Sequence, residues 1–211
     1  FALTQDVASI VEDRLTMVVV NGLQGLVLVL LTTWLFFRLR YAFWVAMALP
    51  VSFLGTLFVM SWIGYSLNMI TLVALLVAIG LLVDNAVVIS ENIISKLQRG
   101  LAPLEAAIQG TWEVAPGVTA SFLTTVAVFA PIAFLKGEIG TVLAVIPVVL
   151  IVTLTVSFIE AFLILPNHMV QAARRPEPAP SRLRQRFENG FALIQDRWLG
   201  RVVDLSVRMR Y

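Results

Sequence analysis

The feature that most constrains this chain is a set of long runs without a single charged residue: 15–37, 41–83, 114–135 and a run that opens at residue 139 and continues to 159. A helix rises 1.5 Å per residue, so about 20 residues cross roughly 30 Å of hydrocarbon. The run 41–83 is too long for one helix. The turn formers Gly64, Tyr65, Ser66, Leu67 and Asn68 place its break, which gives five expected spans at about 15–37, 42–64, 67–93, 114–135 and 139–165. Composition agrees: 59% of the 211 residues are hydrophobic, 13% are charged and the mean hydropathy is +0.92, whereas soluble domains carry about 25% charged residues. The expected fold class is an all-α membrane protein, a five-transmembrane-helix bundle within 15–166.

Charge placement orients it. With an extracytoplasmic N-terminus, Arg14 and Lys136 are the two outside residues among the 15 Lys and Arg, and the others, from Arg38 and Arg40 to Arg208 and Arg210, fall inside; basic residues favour cytoplasmic loops. Trp34, Trp44, Trp62 and Tyr65 lie near expected interfaces, where amphipathic rings anchor helices. The segment from Leu101 reads as a turn with Pro103 opening a short cytoplasmic helix, and Pro116, Pro131 and Pro147 read as kinks. After Pro166, residues 167–180 form a Pro-rich polar linker. In 181–199 the residues Leu183, Phe187, Phe191, Ile194 and Trp198 recur every three or four positions with arginines on the other faces, an amphipathic surface helix at the cytoplasmic headgroup boundary or a helix packed on protein. The chain starts at Phe1 without Met, a basic leader or cleavage-like small residues, and its pattern breaks off after Val202, so we expect a segment of a longer polypeptide.

The absence of Cys excludes a disulfide framework, a thiolate metal site and a cysteine nucleophile, and a lone His168 argues against a metal cluster. No cofactor, metal or nucleic-acid partner is expected. Most of the 13 acids sit in loops or tails; Asp84 and Glu160 fall within spans. Asp84 is about four residues from the centre of span 67–93, where an ionised carboxylate costs about 2.5 to 3.5 kcal/mol. It is expected to face the bundle interior, pair with a cation or take up a proton, as a relay or as structural glue. Gly80 and Glu91 share its face; Glu91 reads as a solvated end residue or a cytoplasmic proton route. Asn85 sits about 100° around the helix and cannot titrate. Glu160 is either a second protonatable group or a neutral acid bonded to a backbone carbonyl. Asn21 and Gln24 are expected to hydrogen-bond between helices. An aspartyl intramembrane protease would need two facing Asp residues, and Asp84 is the only one in a span.

The run from Asn68 to Leu72 followed by Ala78-Ile79-Gly80-Leu81-Leu82-Val83-Asp84-Asn85-Ala86-Val87-Val88-Ile89-Ser90-Glu91-Asn92 resembles the fourth transmembrane helix of resistance-nodulation-division (RND) efflux permeases. The run from Phe129 to Phe134 with Gly137 and Gly140 is similar to the fifth helix and its outer turn, and Leu163-Ile164-Leu165-Pro166 to the end of the sixth. The resemblance covers nearly the whole chain. It implies that the spans are helices two to six of the first repeat, that 1–14 ends a periplasmic porter segment, that 181–199 is the family's cytoplasmic surface helix and that 200–211 leads into the next repeat.

It further implies an inner-membrane proton antiporter rather than an enzyme, multi-pass in the bilayer, usually a homotrimer working with a periplasmic adaptor and an outer-membrane channel. Asp84 matches the first position of the family's acidic pair, the proton-carrying site; Asn85 occupies the second, a departure that removes one titratable group. A lysine of the second repeat pairs with these acids in the family, and no lysine lies inside a span here. The expected function is proton-coupled efflux of hydrophobic or amphiphilic compounds, this chain supplying the first-repeat half of the relay; the alternative is a non-transporting sensing or partner-binding membrane domain of the same superfamily.

Overall fold

The computed structural model describes residues 7–174. Residues 1–6 of the expected porter segment, 175–180 of the expected linker, the expected surface helix 181–199 and the segment 200–211 lie outside the described residues. The elements are α1 (Val7–Phe36), α2 (Leu39–Trp62), α3 (Met69–Gln98), α4 (Pro103–Ala133), α5 (Glu138–Leu143), α6 (Val145–Ile159), a π-helix (Glu160–Ile164) and α7 (Leu165–Ala173). The last three run on as one rod, so the described residues hold five helices long and apolar enough to cross a membrane.

The break inside the long charge-free run falls where the turn formers place it. Gly64 adopts φ 82°, a left-handed conformation that glycine enters without steric cost. Asn68 then caps α3: its side-chain oxygen accepts from the Ile70 and Thr71 backbone N–H groups at 2.9 and 3.1 Å, while its own N–H donates to Thr71 Oγ1 at 2.8 Å. Both sides of this capping box satisfy donors that the first turn would otherwise leave open.

Three boundaries differ from the sequence expectation. The short helix expected at Pro103 and the span 114–135 are one helix, α4, which runs through Pro116 and Pro131; Glu113, the charge between them, is met by Lys96 at 2.6 Å, so nothing forces a break. The expected span 139–165 is divided, with α5 ending before Ala144 and a new helix starting at Val145, which puts Pro147 in a first turn where its missing N–H costs nothing. Beyond Pro166 the chain stays helical to Ala173 instead of becoming linker. A proline ring clashes with the carbonyl four residues back in a regular α-helix, and the wider π-helix immediately before Pro166 gives it room.

α3 is the hub, packed against α1, α2, α4, α6 and α7. Its inner face carries small residues, Ala74, Ala78 and Ala86, all buried, which allow close helix approach where no hydrophobic driving force between helices is available. α3 and α6 run parallel, and their contacts keep a constant offset: Leu75 packs with Val149 in one core cluster, Ser157 Oγ donates to the Leu82 carbonyl at 3.2 Å, and Ile89 and Ile93 share a cluster with Leu165 and Met169. Outer faces stay apolar and exposed, as at Phe58, Trp62 and Leu163. Asn21 and Gln24 are exposed on α1 and do not lie between these helices; the inward face of α1 is Val18, Gly22 and Gly25, set against Ile79 and Leu49. Trp44 stacks on His168, centroids 3.9 Å apart and planes 4° from parallel.

Two glycines mark the tightest crossings. A Cβ on Gly110 would lie 2.8 Å from the Ile93 Cα, and one on Gly55 would lie 2.7 Å from a Val156 methyl. Backbone cannot yield as a methyl can. Gly110→Ala should therefore destabilise the bundle by about 1 to 3 kcal/mol, whereas Gly55→Ala, offset by a helix-propensity gain of up to about 1 kcal/mol, should change it little. Thermal unfolding of the two variants in detergent checks the order.

Candidate functional site

On the side of α3 opposite its buried face, Val73, Val77, Gly80, Asp84, Val88 and Glu91 are exposed in steps of three or four residues. They form one helical stripe. Gly80 and Glu91 thus share a face with Asp84 as the spacing predicts, and Glu91 lies at its Gln98 end. Of the three readings of Asp84, an inward position is not the one met among the described residues: it points away from the core they form, because the inner face of α3 is taken by the alanines, Leu75, Leu82 and Ile89.

The acid lines an open groove of about 330 Å³ between α3 and α4, together with Asn85, Val88, Glu113, Val114, Gly117, Val118 and Ser121. Gly80 and Gly117 have nothing within 4 Å of a Cβ position, so the stripe and the groove leave room for a further element. Asn85 is half-buried at the groove's inner edge. Glu113, which the charge reading passed over as a loop acid, is the second carboxyl of the groove. Its sequence signal is its place immediately before the charge-free run 114–135. It accepts from Lys96 Nζ at 2.6 Å and from Asn92 Nδ2 at 3.1 Å, while Asn92 also donates to the Gly110 carbonyl at 2.8 Å. These bonds clamp the α3–α4 hairpin just beyond Asp84.

Glu160 is elsewhere. It opens the π-helix, is 3% exposed, and its Oε2 has no hydrogen-bond partner; the same holds for His168 Nδ1. The backbone-carbonyl partner expected for a neutral Glu160 is thus not made through that oxygen. Asp84 and Glu160 are not brought together: one lies on the outer face of α3, the other inside the bundle. Among the described residues no three His, Asp or Glu side chains group closely enough to hold a metal ion.

Comparison with known proteins adds an independent line. A family model described as the AcrB/AcrD/AcrF family matches residues 1–210. The multidrug resistance protein MdtC of Photorhabdus laumondii is 36% identical over 171 residues, 79% of this chain and 16% of the relative. MdtC of Citrobacter koseri is 37% identical over 179 residues, 83% and 17% respectively, and MdtC of Escherichia coli O139:H28 is 38% identical over 160 residues, 75% and 15%. The chain therefore spans about a sixth of the length of these curated relatives.

The clamp makes a prediction of its own. Lys96–Glu113 joins side chains 16% and 56% exposed, and such half-solvated pairs contribute little and less in salt. Glu113→Gln should barely move the thermal midpoint at high salt, while Asn92→Leu, which removes the bonds to the Gly110 carbonyl and to Glu113, should still cost about 1 kcal/mol at high salt through the loss of the part-buried Gly110 bond. Unfolding midpoints at low and high NaCl check both.

Proposed function

Because this chain belongs to the AcrB/AcrD/AcrF family of RND permeases, we propose that it supplies the first-repeat half of a proton relay in an inner-membrane efflux antiporter for hydrophobic or amphiphilic compounds. Asp84 is the proton carrier. The single observation behind this reading is the position of Asp84: an acid near the middle of a span, on an exposed stripe that is apolar on both sides of it until Glu91 near the Gln98 end, with open space beside it. An ionised Asp facing lipid there would cost about 2.5 to 3.5 kcal/mol, so the stripe faces protein or water in the whole polypeptide. The resemblance supplies the occupant, the second-repeat helices with their lysine. The whole protein acts as a homotrimer with a periplasmic adaptor and an outer-membrane channel, its chain entering this segment from the periplasm and leaving it in the cytoplasm. The printed names of the relatives, multidrug resistance proteins, support the breadth of the cargo.

Protonating Asp84 from the periplasmic side breaks its ion pair with that lysine and repacks α3 against the second repeat. The proton shifts the population between two packings only as far as its affinity for them differs. Asn85 can hydrogen-bond but does not titrate, so of the two positions of the family's acidic pair Asp84 alone carries a proton. One charge moving through 100 mV is worth about 2.3 kcal/mol, enough for about a fifty-fold concentration ratio.

Asp84→Asn in the full-length polypeptide is expected to bring gradient-driven export of an amphiphilic dye in inverted vesicles down to the level of a protonophore-treated control, with the amount of assembled trimer unchanged. Export at the wild-type rate would overturn the relay. Export that a protonophore leaves untouched would overturn proton coupling altogether.

A further inference from the structure

We propose that Glu160 is a second, internal proton-binding residue, sealed among the helices at the depth of Asp84; the inference deepens the efflux reading and, as a coupling step, rests on it. Depth follows from the parallel register of α3 and α6. The Ser157 hydroxyl meets the Leu82 carbonyl, so three residues further on Glu160 stands level with Asn85 and about 1.5 Å along the axis from Asp84.

The π-helix is what holds Glu160 inward. Buried positions on this rod run 153, 154, 157, 160 and 161, and a regular α-helix would continue them to 164 and 168. Instead Ile164 is exposed and Leu165 and Met169 are fully buried, a slip of one residue that the Leu165 N–H bond to the Glu160 carbonyl produces. Such π-turns cost regular hydrogen bonding and occur disproportionately at functional sites. The slip also changes phase: eight α-helical residues would leave His168 about 80° from Glu160, and the extra residue brings the two within about 20°. His168, with its own buried unpartnered Nδ1, is the next polar group along that face toward the Ala173 end.

Among the described residues, nothing on the elements that pack against the π-helix compensates a charge at Glu160. α2, α3, α6 and α7 touch it. α6 carries no ionisable side chain. Those of α2, Arg40 and Tyr41, lie at its far end, where Arg40 donates to the Ala172 carbonyl at 2.6 Å. On α3, Asp84 and Glu91 point outward and Lys96 is engaged by Glu113; α7 offers His168 alone. An isolated carboxylate is not sustained in such surroundings, so the packing seen here holds Glu160 as the neutral acid, and it releases its proton when the helices part. A merely structural side chain would do better as leucine, which leaves no polar atom unsatisfied.

The test uses the full-length permease reconstituted in vesicles. Glu160→Gln keeps the shape of the neutral acid, so a packing role predicts wild-type transport with the wild-type pH profile, and that result overturns the proposal. We expect instead at least about a tenfold loss of gradient-driven transport or a pH profile shifted by about one unit, with dye binding retained. Infrared difference spectra of protein carrying carbon-13-labelled glutamate provide the second measurement, independent of export and of the variant's assembly. A labelled carboxylic-acid band that responds to pH and disappears in Glu160→Asp and Glu160→Gln supports the site, also in an Asp84→Asn background where export is already lost; a glutamate spectrum constant between about pH 5 and 9 overturns it. A titrating Glu160 band alongside undiminished Asp84→Asn export would sink the relay reading and leave the internal site standing.

Discussion

In hydrocarbon a polar group has only the protein to bond to, and the rest of this structure follows from that. The backbone answers with helices. Hydroxyls answer by turning back on their own helix: Thr33 donates to Val29, Thr56 to Ser52 and Thr153 to Val149, each to the carbonyl four residues earlier. Asn68 closes an exposed helix start with its own side chain. Among the described residues, buried side-chain atoms of Ser52, Ser90, Thr111, Glu160 and His168 are left without a partner; of these groups Glu160 is the one carboxylic acid.

α3 divides its circumference between two tasks. One half is lined with alanine so that α2, α6 and α7 can approach, and that close approach fixes the register with α6 through a single hydroxyl, Ser157, on the Leu82 carbonyl. The other half is an exposed stripe interrupted by Asp84 and, two turns on, by Glu91, with a glycine one turn before Asp84 and a groove beside it. The Asn92–Glu113–Lys96 clamp ties α4 to the Gln98 end of the same helix.

Hydropathy and charge made the five spans and the Gly64–Asn68 turn legible, because both depend on residue types within a short window. The family motif around Asp84 was legible too. What escaped depends on contacts between distant residues. Lys96 and Glu113 neutralise each other across a hairpin, which let α4 run unbroken through a charge that a single-helix reading treats as a boundary. Asn21 and Gln24 carry the right chemistry for interhelical bonds, but Gly22 and Gly25 win the inward face because they let Ile79 in. The π-helix leaves no hydropathic trace at all: a slip of one residue moves Leu165 inward and Ile164 outward, and two aliphatic residues read alike whichever way they face.

The two acids therefore lie at one depth on opposite sides of the same helix, and their costs are not independent. Charging Asp84 requires water or a cation against the outer stripe; charging Glu160 requires the inner seam between α3 and the α6–α7 rod to open. That seam is built from alanine, leucine and isoleucine in close contact, and packed interfaces of this kind switch between discrete arrangements and resist intermediate ones. In the proposed relay, an α3 that moves toward one side and away from the other couples the two acids through the packing of that one helix. Asn85, uncharged between them, adds no third charge to that exchange. The amide thus fits a relay whose second titratable group lies one helix away instead of one residue away.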